Sequence, residues 1–126
     1  MTAMIEKRIL VVDDSRTALA VTCMLLDGQH WAVSTARDGK EGVEKALAER
    51  PDLILMDVTM PVLNGFEAVA ELRAAEATRA IPVIMVTTRG ETENVEKGYV
   101  VGATDYVTKP IDGVELLEKI RSYLGE

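Results

Sequence analysis

Short apolar runs that alternate with helical patterns constrain the fold of this chain more than any other feature of its sequence. Each run has the length of one strand, and each is followed by a segment with apolar residues at helical spacing. The runs are RILVVD (8–13), WAVSTA (31–36), DLILMD (52–57), PVIMVTT (82–88) and TDYVTK (104–109). Because parallel strands need long crossover connections, this order predicts an α/β domain with a five-stranded parallel doubly wound sheet flanked by five helices.

The helical segments differ in regularity. The third, GFEAVAELRAAE, has the cleanest apolar stripe, whereas the fourth, ETENVEKGYVVG, is interrupted by Gly98 and is therefore the weakest by helix propensity. In the first two segments, the spacing predicts that Met24 and Leu47 face the core along with their apolar neighbours.

Length and composition exclude several classes of protein. A chain of 126 residues is expected to form one domain spanning residues 1–126, and no apolar run reaches membrane-spanning length. One cysteine, Cys23, and one histidine, His30, provide neither an internal disulfide nor a set of soft zinc ligands. A net charge of −7 disfavours binding to a nucleic-acid backbone. With no secretory signal at the start of the chain, we expect a cytoplasmic location.

Charged and hydroxyl side chains stand where the predicted strands end. Asp13 and Asp14 follow the first strand, Asp57 ends the third, Thr87 lies near the end of the fourth and Lys109 ends the fifth. In doubly wound sheets, ligands bind at the carboxyl ends of the strands, beside the point where the strand order reverses. The sequence therefore predicts that three acids, a hydroxyl and an amine converge at one edge of the sheet.

Taken singly, each of these residues has an ordinary structural interpretation. Asp13 or Asp14 could be the N-cap of the first helix, and Lys109 could be a solvated lysine. Taken together, the acids need neutralising, since two like charges about 4 Å apart repel by roughly 4 kcal/mol at an effective dielectric constant of 20. Oxygen ligands of this kind suit magnesium. The first strand is followed by acids and no glycine, which argues against a flavin or dinucleotide phosphate there.

Four segments resemble the motifs of one family: the receiver domain of two-component response regulators. They are VVDDS, LILMDVTMPVLNG, VIMVTT and GATDYVTKP; they occur in the family's order and cover nearly the whole chain. The resemblance implies a flavodoxin-like fold and a signalling domain that catalyses only its own phosphorylation and dephosphorylation. The chain is also similar to single-domain, chemotaxis-type regulators, because no output domain is attached to it. A piece cut from a longer regulator would have the same sequence.

The resemblance also assigns roles to individual residues. It implies that Asp57 accepts a phosphoryl group from a sensor histidine kinase or a phosphotransfer protein, and that Thr87 and Lys109 contact that group. Magnesium would be bound by Asp14, Asp57 and the main-chain carbonyl of Thr59, with Asp13 acting through water. Tyr106 would be the aromatic switch residue, paired with Thr87. The peptide bond before Pro110 would be cis.

The low helix propensity around Gly98 and the position of Tyr106 suggest how the signal leaves the domain. On phosphorylation Thr87 would move towards the phosphoryl group, and Tyr106 would fill the space that opens behind it. The partner surface would be formed by the fourth helix, the fifth strand and the fifth helix, with an output protein or domain that the sequence does not identify. A second copy of the chain, in a phosphorylation-dependent dimer, would be another partner. Direct contact with nucleic acid or a membrane is not expected.

Several positions depart from the family pattern, among them Gly98, where alanine is common, and the bulky residues 99–101. Thr88 follows Thr87 where a smaller residue is common, and Thr59 and Arg89 occupy the positions that bracket the path of the attacking water. Since Thr59 has neither an amide nor an acid to orient water, we expect slow self-dephosphorylation.

Two other functions remain as alternatives. An aspartate-nucleophile phosphohydrolase would need a second aspartate two residues after the nucleophile, and this chain has Thr59 there. A degenerate receiver that acts as an interaction module without phosphorylation would lack one or more of the site residues, yet all of them are present.

Overall fold

The computed structural model describes residues 6–60, 62–88 and 92–126, and the side chains of the last range from residue 95. Five strands alternate with five helices, as the sequence predicts. The strands are β1 (Arg8–Val12), β2 (Ala32–Ala36), β3 (Leu53–Asp57), β4 (Val83–Thr88) and β5 (Asp105–Lys109). The helices are α1 (Arg16–Leu26), α2 (Gly39–Glu49), α3 (Gly65–Ala74), α4 (Thr92–Val101) and α5 (Gly113–Leu124).

All strands of the sheet are parallel, and their order is β2-β1-β3-β4-β5. The chain winds outward from β1 to β2, then returns to place β3 on the other side of β1. The strand order therefore reverses between β1 and β3, which makes the carboxyl ends of these two strands the expected ligand site. This architecture is the flavodoxin-like fold predicted from the sequence.

Two apolar cores cover the two faces of the sheet. One core packs α2, α3 and α4 against residues such as Leu10, Ile54 and Met85, and the other packs α1 and α5 against Ile9, Leu55 and neighbouring residues. All five residues of β3 are buried. The central strand is thus fixed on both faces, and the side chain at its end has a rigid base.

Side-chain caps begin four of the helices. Ser15, Asp38, Asn64 and Asp112 each accept hydrogen bonds from backbone N–H groups in the first turn. At α3, the Glu67 side chain also accepts a hydrogen bond from the Asn64 N–H, which completes a capping box. Because Ser15 caps α1, neither Asp13 nor Asp14 serves as the cap, and both carboxylates remain for another role.

The expected burial of Met24 and Leu47 is wrong: the Met24 side chain is 75% exposed and that of Leu47 is 42% exposed. α1 buries Leu19, Thr22 and Leu26, a stripe at spacings of three and four residues. Met24 is two residues from Thr22 and therefore lies on the opposite side of the helix. The apolar pattern did not indicate this, because the buried residue at position 22 is polar.

Arg73 ties the end of α4 to α3. Its Nε donates a hydrogen bond to the Gly102 carbonyl at 2.9 Å, and its Nη1 donates to the Ile81 carbonyl at 2.7 Å. Further hydrogen bonds from the same guanidinium reach the carbonyls of Thr78 and Arg79. One side chain therefore joins α3, the turn before β4 and the turn after α4.

In the described ranges, none of the helices combines the length and the apolar character that crossing a membrane requires.

Candidate phosphoacceptor site

Three carboxylates meet where β1 and β3 end. Asp13 and Asp14 directly follow β1, and Asp57 is the last residue of β3. One oxygen from each carboxylate lies within 4.8 Å of the others. Asp13 and Asp57 are buried and Asp14 is exposed. The structure thus brings together the three acids that the sequence predicted to converge, with one of them open to solvent.

Local hydrogen bonds orient the two acids after β1. The Ser15 N–H donates to Asp13 Oδ1 at 3.0 Å, which turns the Asp13 side chain back over the start of α1. An Arg37 Nη2 group donates to the Asp14 main-chain carbonyl at 3.4 Å. This contact from the residue after β2 could not be predicted from the sequence, because it depends on β1 and β2 being neighbours.

The Lys109 amine lies between the two buried acids. Its Nζ is 3.2 Å from Asp13 Oδ2 and 3.5 Å from Asp57 Oδ1. Lys109 ends β5, and the peptide bond that joins it to Pro110 is cis, which confirms that expectation. The lysine is therefore ion-paired with both buried acids, while a third of its side chain remains exposed.

The pKa of Asp57 reflects both the burial of its carboxyl and the charges around it. Burial and the neighbouring charge of Asp13 raise the pKa of Asp57 from 3.8 to about 6, while Lys109 opposes the rise and Asp14 adds to it. Burial alone would lower the pKa of Lys109, but the Asp57 charge and the hydrogen bond to Asp13 raise it above its ordinary value. The cluster has an excess of negative charge, and hard oxygen donors of this kind fit a magnesium ion.

The remaining residues assigned from sequence lie around this cluster. Thr87 is buried in β4, one residue beyond Val86, which is the register partner of Asp57. Thr59 is exposed two residues after Asp57, and Thr88 is exposed at the end of β4. Arg89 lies outside the described residues.

Gly65 fixes the backbone of the acid that ends β3. A Cβ atom at Gly65 would lie 2.3 Å from the Asp57 carbonyl oxygen, so only glycine allows α3 to begin this close to β3. The Gly65 N–H also donates to the Val58 carbonyl at 2.9 Å. The sequence pattern predicts this glycine at a helix start but does not show its contact with the Asp57 backbone.

Tyr106 lies in β5, with its ring inside the fold. The side chain is 8% exposed, and its hydroxyl donates to the Val95 carbonyl of α4 at 2.8 Å. The ring of Tyr99 packs against it edge-on, with 5.2 Å between centroids. The expected movement of Tyr106 into the space behind Thr87 on phosphorylation stays a prediction; in this structure the ring is already buried.

A polar network on the neighbouring face was not found from the sequence. Lys119 Nζ donates to Asp105 Oδ1 at 3.0 Å and to the Tyr106 carbonyl at 2.6 Å. The Tyr123 hydroxyl donates to Asp105 Oδ2 at 2.7 Å, and the Tyr106 N–H donates to Asp105 Oδ1 at the same length. These contacts join α5 to β5 and depend on side chains that are distant in sequence.

Comparisons with known proteins agree with this geometry. Residues 9–121 match the family model described as the response regulator receiver domain. Protein PilH of Pseudomonas aeruginosa is 44% identical over 118 residues, which cover 94% of this chain and 98% of that protein.

Solved structures with the same fold include two relevant neighbours. The chemotaxis protein CheY4 of Vibrio cholerae superposes with a TM-score of 0.88 at 34% identity, covering 94% of this chain and 99% of that one. The receiver domain of the sensor histidine kinase PA1611 from Pseudomonas aeruginosa superposes with a TM-score of 0.89 at 32% identity, covering 97% and 100%. The latter structure has a magnesium ion coordinated in its active-site cleft.

Proposed function

This chain belongs to the family of response regulator receiver domains, and we propose that Asp57 is its phosphoacceptor in a two-component signalling system. The supporting observation is the position of the Lys109 amine, 3.2 Å from Asp13 and 3.5 Å from Asp57, within a cluster of three carboxylates. The domain is a signalling module that catalyses only its own phosphorylation and dephosphorylation.

The Asp57 carboxylate is placed to act as a nucleophile at phosphorus. A carboxylate oxygen of Asp57 forms a bond to the phosphorus of a phosphohistidine as the bond from phosphorus to the imidazole nitrogen breaks. The leaving imidazole, in a histidine kinase or a phosphotransfer protein, takes up a proton from solvent. The product is an aspartyl phosphate at the end of β3.

The residues around Asp57 stabilise the charge that this transfer brings in. Lys109 already contacts Asp57, so its amine can neutralise one oxygen of the phosphoryl group, and the Thr87 hydroxyl at the end of the neighbouring strand can donate to another.

The donor set fits magnesium bound by Asp14, Asp57 and the main-chain carbonyl of Thr59, with Asp13 acting through a water molecule. The ion would neutralise negative charge on the transferring group. The receiver from PA1611, which does have magnesium in its cleft, supports this assignment.

We assign the whole of residues 1–126 to one receiver domain in the cytoplasm, where a sensor histidine kinase or phosphotransfer protein supplies the phosphoryl group. Its output surface is the face of α4, β5 and α5, with Thr87 and Tyr106 as the switch pair. Tyr99 and Val100 of α4 and Tyr123 of α5 are exposed on these elements, at 51%, 86% and 37%. They give an output protein, or a second phosphorylated copy, apolar surface to bury.

Labelling with acetyl phosphate tests the assignment of Asp57. We expect incubation with acetyl phosphate and MgCl₂ to add one phosphoryl group, located at Asp57 by mass spectrometry after borohydride trapping. Asp57→Asn should abolish the label, and EDTA should prevent it. Asp27→Asn, which changes an exposed acid at the end of α1, is the matched control and should be labelled like the wild type. An unmodified wild-type chain would favour the degenerate receiver instead.

Amide hydrogen exchange tests the output surface. We expect beryllofluoride, a phosphoryl mimic, to change exchange in α4 and β5 as well as in the loops around Asp57. Changes confined to the loops around Asp57, with α4 and β5 silent, would contradict this surface.

A further inference from the structure

The middle of α4 has no room for a side chain where it passes Tyr106. A Cβ atom built on Gly98 would lie 1.6 Å from the Tyr106 hydroxyl oxygen and 2.7 Å from Cζ of the same ring. Both distances are below the closest approach of two carbon or oxygen atoms that are not bonded. The space that any other residue would fill is therefore occupied by the tip of the tyrosine.

The contacts of the ring explain why it cannot simply move aside within this arrangement. Its hydroxyl donates to the Val95 carbonyl one turn earlier in α4, and the Tyr99 ring packs edge-on against the Tyr106 ring, with 5.2 Å between the ring centroids. The ring and its hydroxyl are thus held on two sides by α4 residues that flank Gly98.

The backbone of Gly98 is also fixed. Its carbonyl accepts hydrogen bonds from the N–H groups of Gly102 at 3.1 Å and Ala103 at 2.9 Å, which end α4. Arg73 in turn holds the Gly102 carbonyl at 2.9 Å. Because the end of the helix is anchored in this way, α4 cannot easily retreat from β5 to make room for a larger residue at position 98.

We propose that Gly98 is a positioning residue for Tyr106: the notch that it leaves in α4 receives the phenol and holds the ring inside the domain. Glycine is among the least favourable residues in a helix interior, and at this position the seated ring compensates for that cost. The glycine in α4 therefore determines that the Tyr106 ring lies buried between α4 and β5. This inference concerns the ring position before any phosphorylation, so it stands or fails separately from the assignment of Asp57.

Thermal unfolding of the wild type, the two single variants and the double variant tests the coupling. In a Tyr106→Val background, whose side chain is too short to reach α4, Gly98→Ala should raise the Tm by roughly 3–5 °C through helix propensity alone. With Tyr106 present, the same change should lower the Tm, because the new methyl group and the phenol need the same space. An equal rise in both backgrounds would overturn the proposal.

Nuclear Overhauser effects give a second test that does not depend on stability. In the wild type, the ring protons of Tyr106 should show cross-peaks to the Gly98 α-protons; in Gly98→Ala these should disappear and the ring should become exposed to solvent. Persistence of the ring contacts to residue 98 and Val95 in Gly98→Ala would overturn the proposal. Gly113→Ala is the control, since a Cβ there meets only the end of the Leu25 side chain at 3.0 Å, and it should leave the Tyr106 cross-peaks unchanged.

Discussion

The acid cluster and the flank formed by α4 and β5 lie on the same sheet but differ in what holds them in place. Asp57 ends a strand whose five residues are all buried, and Gly65 packs directly against its carbonyl. By contrast, α4 contains a glycine in its middle, and Val100 on its surface is 86% exposed. The difference separates two requirements: a charge cluster needs fixed distances, whereas a surface that responds needs an element of low stability.

The two neighbouring helices on this side of the sheet show the same contrast. α3 begins with a complete capping box and buries Phe66, Val69 and Leu72. α4 is held at its end by Arg73 and in its middle by the Tyr106 hydroxyl. Among the described residues, α4 therefore combines the packing of Val95 and Val101 with hydrogen bonds that single substitutions can remove.

Removal of the Lys109 amine should have the largest effect, and it acts on the rigid region. We expect Lys109→Met to lower the rate of labelling by acetyl phosphate roughly 10²- to 10³-fold, the usual cost of losing a group that stabilises transition-state charge. A mass-spectrometric time course measures this rate. Lys40→Met, at an exposed position in α2, should label at the wild-type rate. A loss of less than about tenfold would show that Lys109 is not part of the chemistry.

The raised pKa of Asp57 predicts a pH-dependent stability in the absence of magnesium. Because the folded-state pKa is about 6 and the ordinary value is 3.8, the folded protein binds this proton more tightly than the unfolded chain. The stabilisation is complete below the ordinary value and is lost as the pH rises through about 6. The shift corresponds to about 2–3 kcal/mol.

Urea unfolding measures this effect. We expect magnesium-free wild type to lose about 2–3 kcal/mol relative to Asp57→Asn between about pH 4 and pH 8, and MgCl₂ to restore stability at the upper pH only when Asp57 is present. Equal pH profiles for wild type and Asp57→Asn would mean that the acids at this site are not in electrostatic conflict.

Loss of Arg73 should weaken the flank without touching the chemistry. Arg73→Met keeps the apolar stem but removes the donors to the carbonyls of Gly102 and Ile81, so we expect a loss of about 2 kcal/mol in the free energy of unfolding. Amide exchange in α4 should accelerate, while acetyl phosphate labelling stays at the wild-type rate. Arg79→Met, at an exposed position, is the control. A labelling rate that fell together with the free energy of unfolding would show that the acid cluster depends on the flank formed by α4 and β5.

The smallest expected effect concerns the lifetime of the phosphoryl group. If Thr88 narrows the approach of water, Thr88→Ala should shorten the half-life of phosphorylated Asp57 a few-fold, which corresponds to less than about 1 kcal/mol in the barrier. Phosphate release after removal of the donor measures the half-life. An unchanged or longer half-life would show that Thr88 does not obstruct the water.

The sequence predicted the strands because they depend on local patterns, and it predicted the acid cluster because the acids stand at strand ends in a known type of sheet. Runs such as DLILMD place Asp57 at a strand end, and the reversal of strand order then brings that end beside Asp13. The pattern could not show that Met24 lies outside or that Arg73 reaches carbonyls in separate turns. These features depend on the rotation of a helix and on the reach of one side chain between distant segments.

The side chains of Asp105 and Lys119 bear on how this sheet ends. β5 is an edge strand, yet the N–H of Tyr106 is taken by Asp105 and its carbonyl by Lys119. An exposed edge normally offers such groups to a strand from another chain, which leads to sheet extension and aggregation. Here two charged residues occupy them, so a strand added to the edge at Tyr106 would have to displace both hydrogen bonds.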